Sequence, residues 1–430
     1  MKRMLSLMIA LLLPLLALAE MPESMMPLRV KRFTRDTGTE ALLQVPSDIV
    51  AWPDPAEVTT EPVTQGDLSY WGTPAAAPSG ATYHLQDLRT QPEGRTTHLY
   101  TGAILTKSVE GQTVWSVQID GYWVKKVQEL HAGVLLLGAT DLHFTGAPDS
   151  ECLTLVSHEG EALWTQQLDC TAIDEVLENG DGTLTVFSRN HRNLCVWRLG
   201  AEGQVLRRTE TSAADFGAEK PAMPVYVRQA LPTGTGHLLL TSDDSGRYAI
   251  LRLNGEDSVT EAVTFESANG FLKSRAGAMD SWLTAKDLCL SGGSLWLSGY
   301  LTEEGRFGSH GEIVPALQAA DALNFASLTG DRSFLTPWLR NCYTAVLLRI
   351  DPETLQPLQA WIMPQCLGGT LSRQEDGVTW DAEYLVSSFY SPFTSAFTVS
   401  GVAQVYRYAF GADGALQGGG LTEEFVPYMR

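Results

Sequence analysis

Along most of the chain, short apolar runs are separated by turns containing Gly, Asp, Asn or Glu, which is the spacing of strands joined by tight hairpins. Some runs, such as Gly133-Val-Leu-Leu-Leu-Gly138, are almost continuously apolar and suit strands covered on both faces. Others, such as Trp164-Thr-Gln-Gln-Leu168, alternate with polar residues and suit an edge.

The runs repeat. A strand ending in Arg and an apolar residue precedes a turn at Val196-Trp-Arg198-Leu199, Ile250-Leu-Arg252-Leu253, Leu347-Leu-Arg349-Ile350 and Val405-Tyr-Arg407-Tyr408, and these four are taken to be in register. Upstream of them, apolar strands recur at Gly133, Gly182, Gly236, Ser294 and Glu383. The first four of these anchors lie roughly 50 to 60 residues apart, a period that suits one four-stranded propeller blade, with strands A to D, better than a solenoid repeat. The last gap is longer by about 40 residues, which a single insertion at 302–341 accounts for.

The expected fold is therefore all-β: a β-propeller of six to seven four-stranded blades with a partly helical insertion in one of them. The helix is expected over Ile313 to Leu328, from apolar residues at Ile313, Leu317, Ala320, Leu323 and Leu328. Residues 40 to 80 are expected either to make a seventh blade or to pair with Leu421 to Tyr428 and close the ring.

Ahead of the repeats, Met1-Lys2-Arg3, an apolar run from Met4 to Leu16 and Ala17-Leu18-Ala19 have the order of a secretory signal peptide. The run is too short for a membrane span and contains Pro14, and no cysteine follows it to carry a lipid anchor. The domain reading is thus a signal peptide at 1–19, a basic flexible leader at 20–39 and the propeller at 40–430. The leader contains Arg29-Val-Lys31-Arg32-Phe-Thr-Arg35 and shows no evident period.

Charge narrows the function. The formal net charge of −20 becomes −22 once Lys2 and Arg3 leave with the signal, and nothing in the chain resembles the basic footprint of a nucleic-acid binder. A secreted monomer without stable membrane insertion is the expectation.

The segment Gly236 to Val259, with its core Tyr248-Ala-Ile-Leu-Arg-Leu-Asn254-Gly, resembles bacterial secreted β-propeller repeat proteins, in which an aliphatic strand is followed by a basic residue, Leu, Asp or Asn, and a Gly turn. The resemblance covers about residues 125 to 420, and several units lack the Asp. It implies a fold and export. It implies no activity.

Candidate chemistry is sparse. The eight histidines form no metal motif, no phosphate loop or nucleophile elbow is present, and no cofactor or metal is expected. Asn179-Gly-Asp-Gly182 reads as a hairpin turn rather than a calcium loop. The recurring arginines are expected to support their own blades. In an exported chain, the position of Cys152 and Cys170 on one hairpin, and of Cys342 and Cys366 on another, points to two disulfides, leaving Cys195 and Cys289 as thiols.

Loop length is the more informative signal. The A–B and C–D turns are tight, whereas the B–C connections, on the opposite face of a propeller, are elaborated. Their side chains include Asp141, His143, Arg189, His191, Asp243, Asp244, Arg306, His310, Trp338, Tyr390 and Phe393. This mixture of charged and aromatic residues points to recognition of an extracellular glycan, peptide, protein or envelope component. The alternative is a carbohydrate-active lyase or glycoside hydrolase using loop carboxylates such as Asp243 and Glu303.

Overall fold

A computed structural model of the chain describes residues 24–58, 80–90, 99–139, 150–191, 193–212, 226–242, 248–267, 283–302, 343–390 and 399–429. Every regular element among them is a strand, and none is a helix long and apolar enough to cross a membrane.

The first two strands are β1 (Ser24–Phe33) and β2 (Gly38–Ile49). Blade 1 follows as β3 (Thr82–Thr90), β4 (Leu99–Val109) and β5 (Gln112–Asp120). Blade 2 is β6 (Trp123–Leu130), β7 (Gly133–Ala139), β8 (Glu151–Val156) and β9 (Ala162–Leu168). Blade 3 is β10 (Ala172–Glu178), β11 (Leu184–Asn190), β12 (Asn193–Leu199) and β13 (Val205–Thr211). Blade 4 is β14 (Tyr226–Thr233), β15 (Gly236–Ser242), β16 (Tyr248–Asn254) and β17 (Val259–Ser267). Blade 5 is β18 (Leu283–Ser291), β19 (Ser294–Thr302), β20 (Tyr343–Ile350) and β21 (Pro357–Pro364). Blade 6 is β22 (Leu367–Gln374), β23 (Gly377–Tyr390), β24 (Val399–Gly411) and β25 (Leu416–Met429).

Each blade is an antiparallel up-and-down meander, so the protein is all-β and of the β-propeller class. Blade 1 has three described strands, equivalent to B, C and D. The expected helical insertion at 302–341 lies outside the described residues, apart from Thr302 at the end of β19.

The chain forms two compact units. One contains residues 32–39 and blades 1 to 4 as far as Thr264; the other contains 24–31, 40–58 and the described residues from Phe265 onward. In the first unit, apolar clusters lie between successive blades. Leu136 packs with Ala103, Leu105 and Ile119 of blade 1, while its neighbour Leu135 packs with Val176, Val186 and Trp197 of blade 3. Consecutive leucines are thus buried on opposite faces of β7, which is why that strand is apolar throughout. Each contributes about 2 kcal/mol of burial. A third cluster joins Phe187 and Val196 of blade 3 to Leu239, Leu251 and Ala262 of blade 4. In the second unit one aromatic cluster holds blades 5 and 6 together, with Trp296 and Trp361 stacked at 5.6 Å and Phe410 against both.

The segment read as a flexible leader is a strand from Ser24 onward. Met26, Leu28 and Val30 alternate into the core, with Leu28 fully buried, and the intervening cations are paired. Lys31 lies 3.0 Å from the buried Glu266, Arg29 pairs with Glu40, and Arg32 pairs with Glu261. Basic residues on the polar face concealed a period of two.

Of residues 40–80, 59–79 lie outside the described residues, and β2 does not pair with the C-terminus. Ser47, Asp48 and Ile49 run parallel to Ala360, Trp361 and Ile362 of β21, whereas β25 occupies the edge of blade 6 and pairs with β24.

The C–D turns fasten one blade to the next. In Ser157–Glu161, Gly200–Gln204, Asn254–Ser258 and Gly411–Ala415 the same two backbone hydrogen bonds recur, and the fourth residue has positive φ: 92° at Gly160, 80° at Gly203, 61° at Asp257 and 91° at Gly414. The second residue offers its carbonyl to the preceding blade. Trp115 Nε1 donates to His158 O at 2.8 Å, Trp164 Nε1 to Ala201 O at 3.0 Å and Arg207 Nη2 to Gly255 O at 3.1 Å. These three donors occupy one register position, just after an extra residue in strand D. Where the turn carries Asp257 in place of Gly, its buried carboxylate accepts from Arg198 at 3.0 Å and also from Arg207.

The recurring arginines therefore divide. Arg252 supports its own blade through Glu261, but Arg198 and Arg349 reach the C–D turn of the next blade, Arg349 Nη1 donating to Ala412 O at 3.2 Å. Arg407 is out of register with the other three. It lies four residues before its turn instead of two, with Ala409 in the equivalent place, and it grips Asp381 and Glu424 within blade 6.

Candidate ligand-binding site

Of the side chains expected on the B–C face, Asp141, His143, Asp243, Asp244, Arg306, His310, Trp338 and Phe393 lie outside the described residues, as does Glu303. Tyr390 ends β23. Arg189 and His191 are described, and their connection is not elaborated. β11 and β12 stay paired as far as Asn190 opposite Asn193, leaving a two-residue turn. His191 takes the left-handed conformation in that turn, at φ 54°, and its N–H donates to Thr171 Oγ1 at 3.0 Å. His191 is a turn residue; Arg189 is part of something larger.

The first strand of blades 2 to 5 carries one extra residue near its start, Lys125, Asp174, Arg228 and Lys286 in turn. Such a bulge bends the strand and re-aims the extra side chain. These bulges sit at the end of the blades from which the B–C connections emerge.

In the unit of blades 1 to 4, two of the three bulge residues are consumed structurally. Lys125 Nζ lies 2.7 Å from Oε1 of the buried Glu151. Asp174 Oδ2 accepts the N–H of Val227, 3.0 Å away on the neighbouring blade. Burial pushes the Asp174 carboxyl above the usual carboxylate range, against the opposing pull of that N–H, Arg189 and Arg228.

Arg228 is different. Its Nε donates to Ser242 Oγ at 2.9 Å, across the register pair Tyr226 and Ser242 that opens β14 and closes β15. The side chain is exposed, and among the described residues no carboxylate hydrogen-bonds to it. Two guanidiniums lie over the Tyr226 ring, Arg189 at 4.1 Å from its centroid and Arg228 at 5.3 Å. Arg189 Nε is 3.4 Å from Asp174 Oδ1 but out of line for a hydrogen bond, and this buried nitrogen has no other partner. Blades 3 and 4 thus build an arginine, tyrosine, arginine cluster beside the B–C turns. The loop-length signal found Arg189 and missed Tyr226 and Arg228. The basic residue just inside the first strand of blades 2, 4 and 5 is the pattern that finds Arg228.

The other unit holds a different arrangement. Glu383 of β23 lies beside Gly369 in the two-residue bulge of β22; a Cβ at that glycine would come within 2.9 Å of Glu383 Oε1. Burial pushes the Glu383 carboxyl up to about 7; Lys286 pulls against this and Asp381 adds to it.

The cysteines correct an expectation. Cys152, Cys170, Cys195 and Cys289 are free thiols. Cys152 packs between blades 1 and 2 and Cys170 between blades 2 and 3, so their side chains leave blade 2 on opposite faces and do not bridge. Cys342 lies outside the described residues, and its pairing with Cys366 with it. Asp181 in the Asn179–Gly182 turn accepts from the N–H and hydroxyl of Thr183, so that carboxylate serves the hairpin. Among the described residues no three His, Cys, Asp or Glu side chains are grouped to hold a metal ion.

No protein-family model matches the chain, and no curated protein matches its sequence. Similar solved structures include a protein from Lactobacillus plantarum, 12% identical, covering 94% of this chain and 100% of its own, with a TM-score of 0.39. The Dos1 propeller is 6% identical, covering 81% and 84%, with a TM-score of 0.37. A subtype N10 neuraminidase-like protein of A/little yellow-shouldered bat is 10% identical, covering 76% and 90%, with a TM-score of 0.33.

Proposed function

We propose that this chain is a secreted β-propeller that binds an extracellular glycan, peptide or envelope component through the face from which its B–C connections emerge. The observation that carries the reading is the Arg189, Tyr226 and Arg228 cluster, built by two blades at that end. At the opposite end the C–D turns are committed to holding blades together, with their carbonyls already accepting Trp115, Trp164 and Arg207. One end is closed by structure and the other presents side chains.

A glycan and peptide array probed with the wild-type chain and with a 302–341 deletion tests the reading. Binding that weakens in the deletion supports it. Binding unchanged by the deletion and by substitutions along the B–C end sinks it.

A second reading, a carbohydrate-active enzyme, is favoured by Glu383, whose carboxyl burial pushes up to about 7 on the same strand as the Arg407-bound Asp381. Turnover of acidic and neutral polysaccharides by the wild-type chain, lost in Glu383→Gln, is its expected signature.

A further inference from the structure

Resting on the binding reading above, we infer that Arg228, with Tyr226 and Arg189 behind it, forms a subsite for the carboxylate of an acidic sugar in an extracellular glycan. Arg228 is the extra residue of a β-bulge, and a bulge costs the strand a regular pair in return for a re-aimed side chain. Its Nε is anchored on Ser242, which fixes the plane of the guanidinium and leaves the terminal nitrogens as the outward edge of the fork. Two parallel N–H donors at that edge match the two oxygens of a carboxylate.

Among the described residues the surroundings favour an anion at this point despite the acidity of the whole chain. Asp174 accepts the backbone N–H of Val227 and lies 3.4 Å from Arg189 Nε. Lys125, one blade further along, is neutralised by Glu151, and Lys126 lies 3.5 Å from Glu175. Arg228 is therefore the cation on these three first strands whose described contacts include no ion pair. The adjoining Tyr226 ring, in cation–π contact with Arg189 and Arg228, adds an aromatic surface of the kind against which a sugar packs. Carboxylate fork and aromatic surface together describe a uronic acid better than an extended peptide.

Isothermal titration of the full chain with trigalacturonate, galactotriose and succinate tests the inference. Trigalacturonate is expected to bind, and galactotriose and succinate each to bind at least about tenfold more weakly, because each lacks one half of the recognised group. Arg228→Ala is expected to lower trigalacturonate affinity about tenfold or more. Arg228→Lys keeps the charge without the fork and is expected to lose several-fold. Both variants should keep the wild-type melting temperature, since the side chain is exposed. Trigalacturonate affinity unchanged in Arg228→Ala overturns the subsite, as does equal binding of galactotriose. Equal binding of succinate overturns the sugar. Failure of wild type to bind trigalacturonate overturns the inference while leaving the broader reading to the array, where a peptide or neutral glycan bound through the B–C end still supports it.

Discussion

Trp164 donates its indole N–H to the carbonyl of Ala201, 3.0 Å away on the next blade, and lays its ring over the turn that contains Gly203. The same bond joins Trp115 to His158, and Arg207 to Gly255. One position in strand D therefore bolts each of these blades to its successor, and the bolt accepts either an indole or a guanidinium because both present an N–H at the end of a long flat side chain.

Glycine substitutions separate the bolt from the turn. Gly203 and Gly182 have nearly the same backbone, φ 80° and 78°, but a Cβ at Gly203 would lie 2.5 Å from the Trp164 ring and one at Gly182 would touch nothing within 4 Å. Each change to Ala carries the left-handed cost of about 1–2 kcal/mol. Gly203→Ala is expected to lose at least about 1 kcal/mol more, because the indole must leave its acceptor. Urea denaturation of the two variants side by side measures the difference, and equal losses would show that the bolt contributes nothing.

Asp257 replaces that glycine in blade 4, and its carboxylate is the shared acceptor of Arg198 and Arg207. Asp257→Ala removes an acceptor with 1% side-chain exposure from two partly exposed guanidiniums and is expected to cost about 1.5–3 kcal/mol. Asp257→Gly should lose less, since it relieves the positive φ. If the two variants melt alike, backbone strain is not part of the balance.

Glu383 predicts a dependence on pH with a definite sign. Its folded value of about 7 lies above the ordinary 4.5, chiefly through burial. Between those two values the folded state keeps a proton that the unfolded chain has released, so stability falls as pH rises through this window. The loss is on the order of 3 kcal/mol for a shift of this size. Glu383→Gln cannot ionise and should flatten that part of the melting profile, becoming more stable than wild type at pH 8. A variant that follows the wild-type slope from pH 5 to 8 would remove Glu383 as its source.

The buried thiols predict a silent surface. Burial pushes Cys152 up to about 11 and Cys170 up to about 12, so little thiolate is present near neutrality. Iodoacetamide should leave both unlabelled in the native chain and label them in guanidinium. A non-reduced peptide joining Cys152 to Cys170 would contradict the placement of the two on opposite faces of blade 2.

Much of this architecture is legible as pattern. Consecutive leucines in β7 announce a strand covered on both faces, and a fixed distance between such runs announces blades. The N-terminal strand was hidden because Arg29, Lys31 and Arg32 make it look like a charged tail, and the acids that pair with Lys31 and Arg32, Glu266 and Glu261, lie more than two hundred residues away. Arg407 resembles Arg198 in its local tripeptide, yet its distance to the turn puts it elsewhere in the blade. The bulge at Arg228 is written in no local run of residues, since an extra residue shows only when the partner strand is counted. Loop length singled out the B–C end of the blades, but it could not distinguish His191, whose backbone is occupied by a turn, from Arg189, two residues before it.

The parallel pairing of β2 with β21 also sets an order of events during synthesis. Asp48 and Gln359, whose side chains meet at 3.3 Å, are separated by 311 residues. At about 5–20 residues per second, the ribosome needs on the order of 15–60 s to make the partner of a strand that it produced near the start. Throughout that interval β2 is an open edge, so the earliest strands of this chain are among the last to be completed.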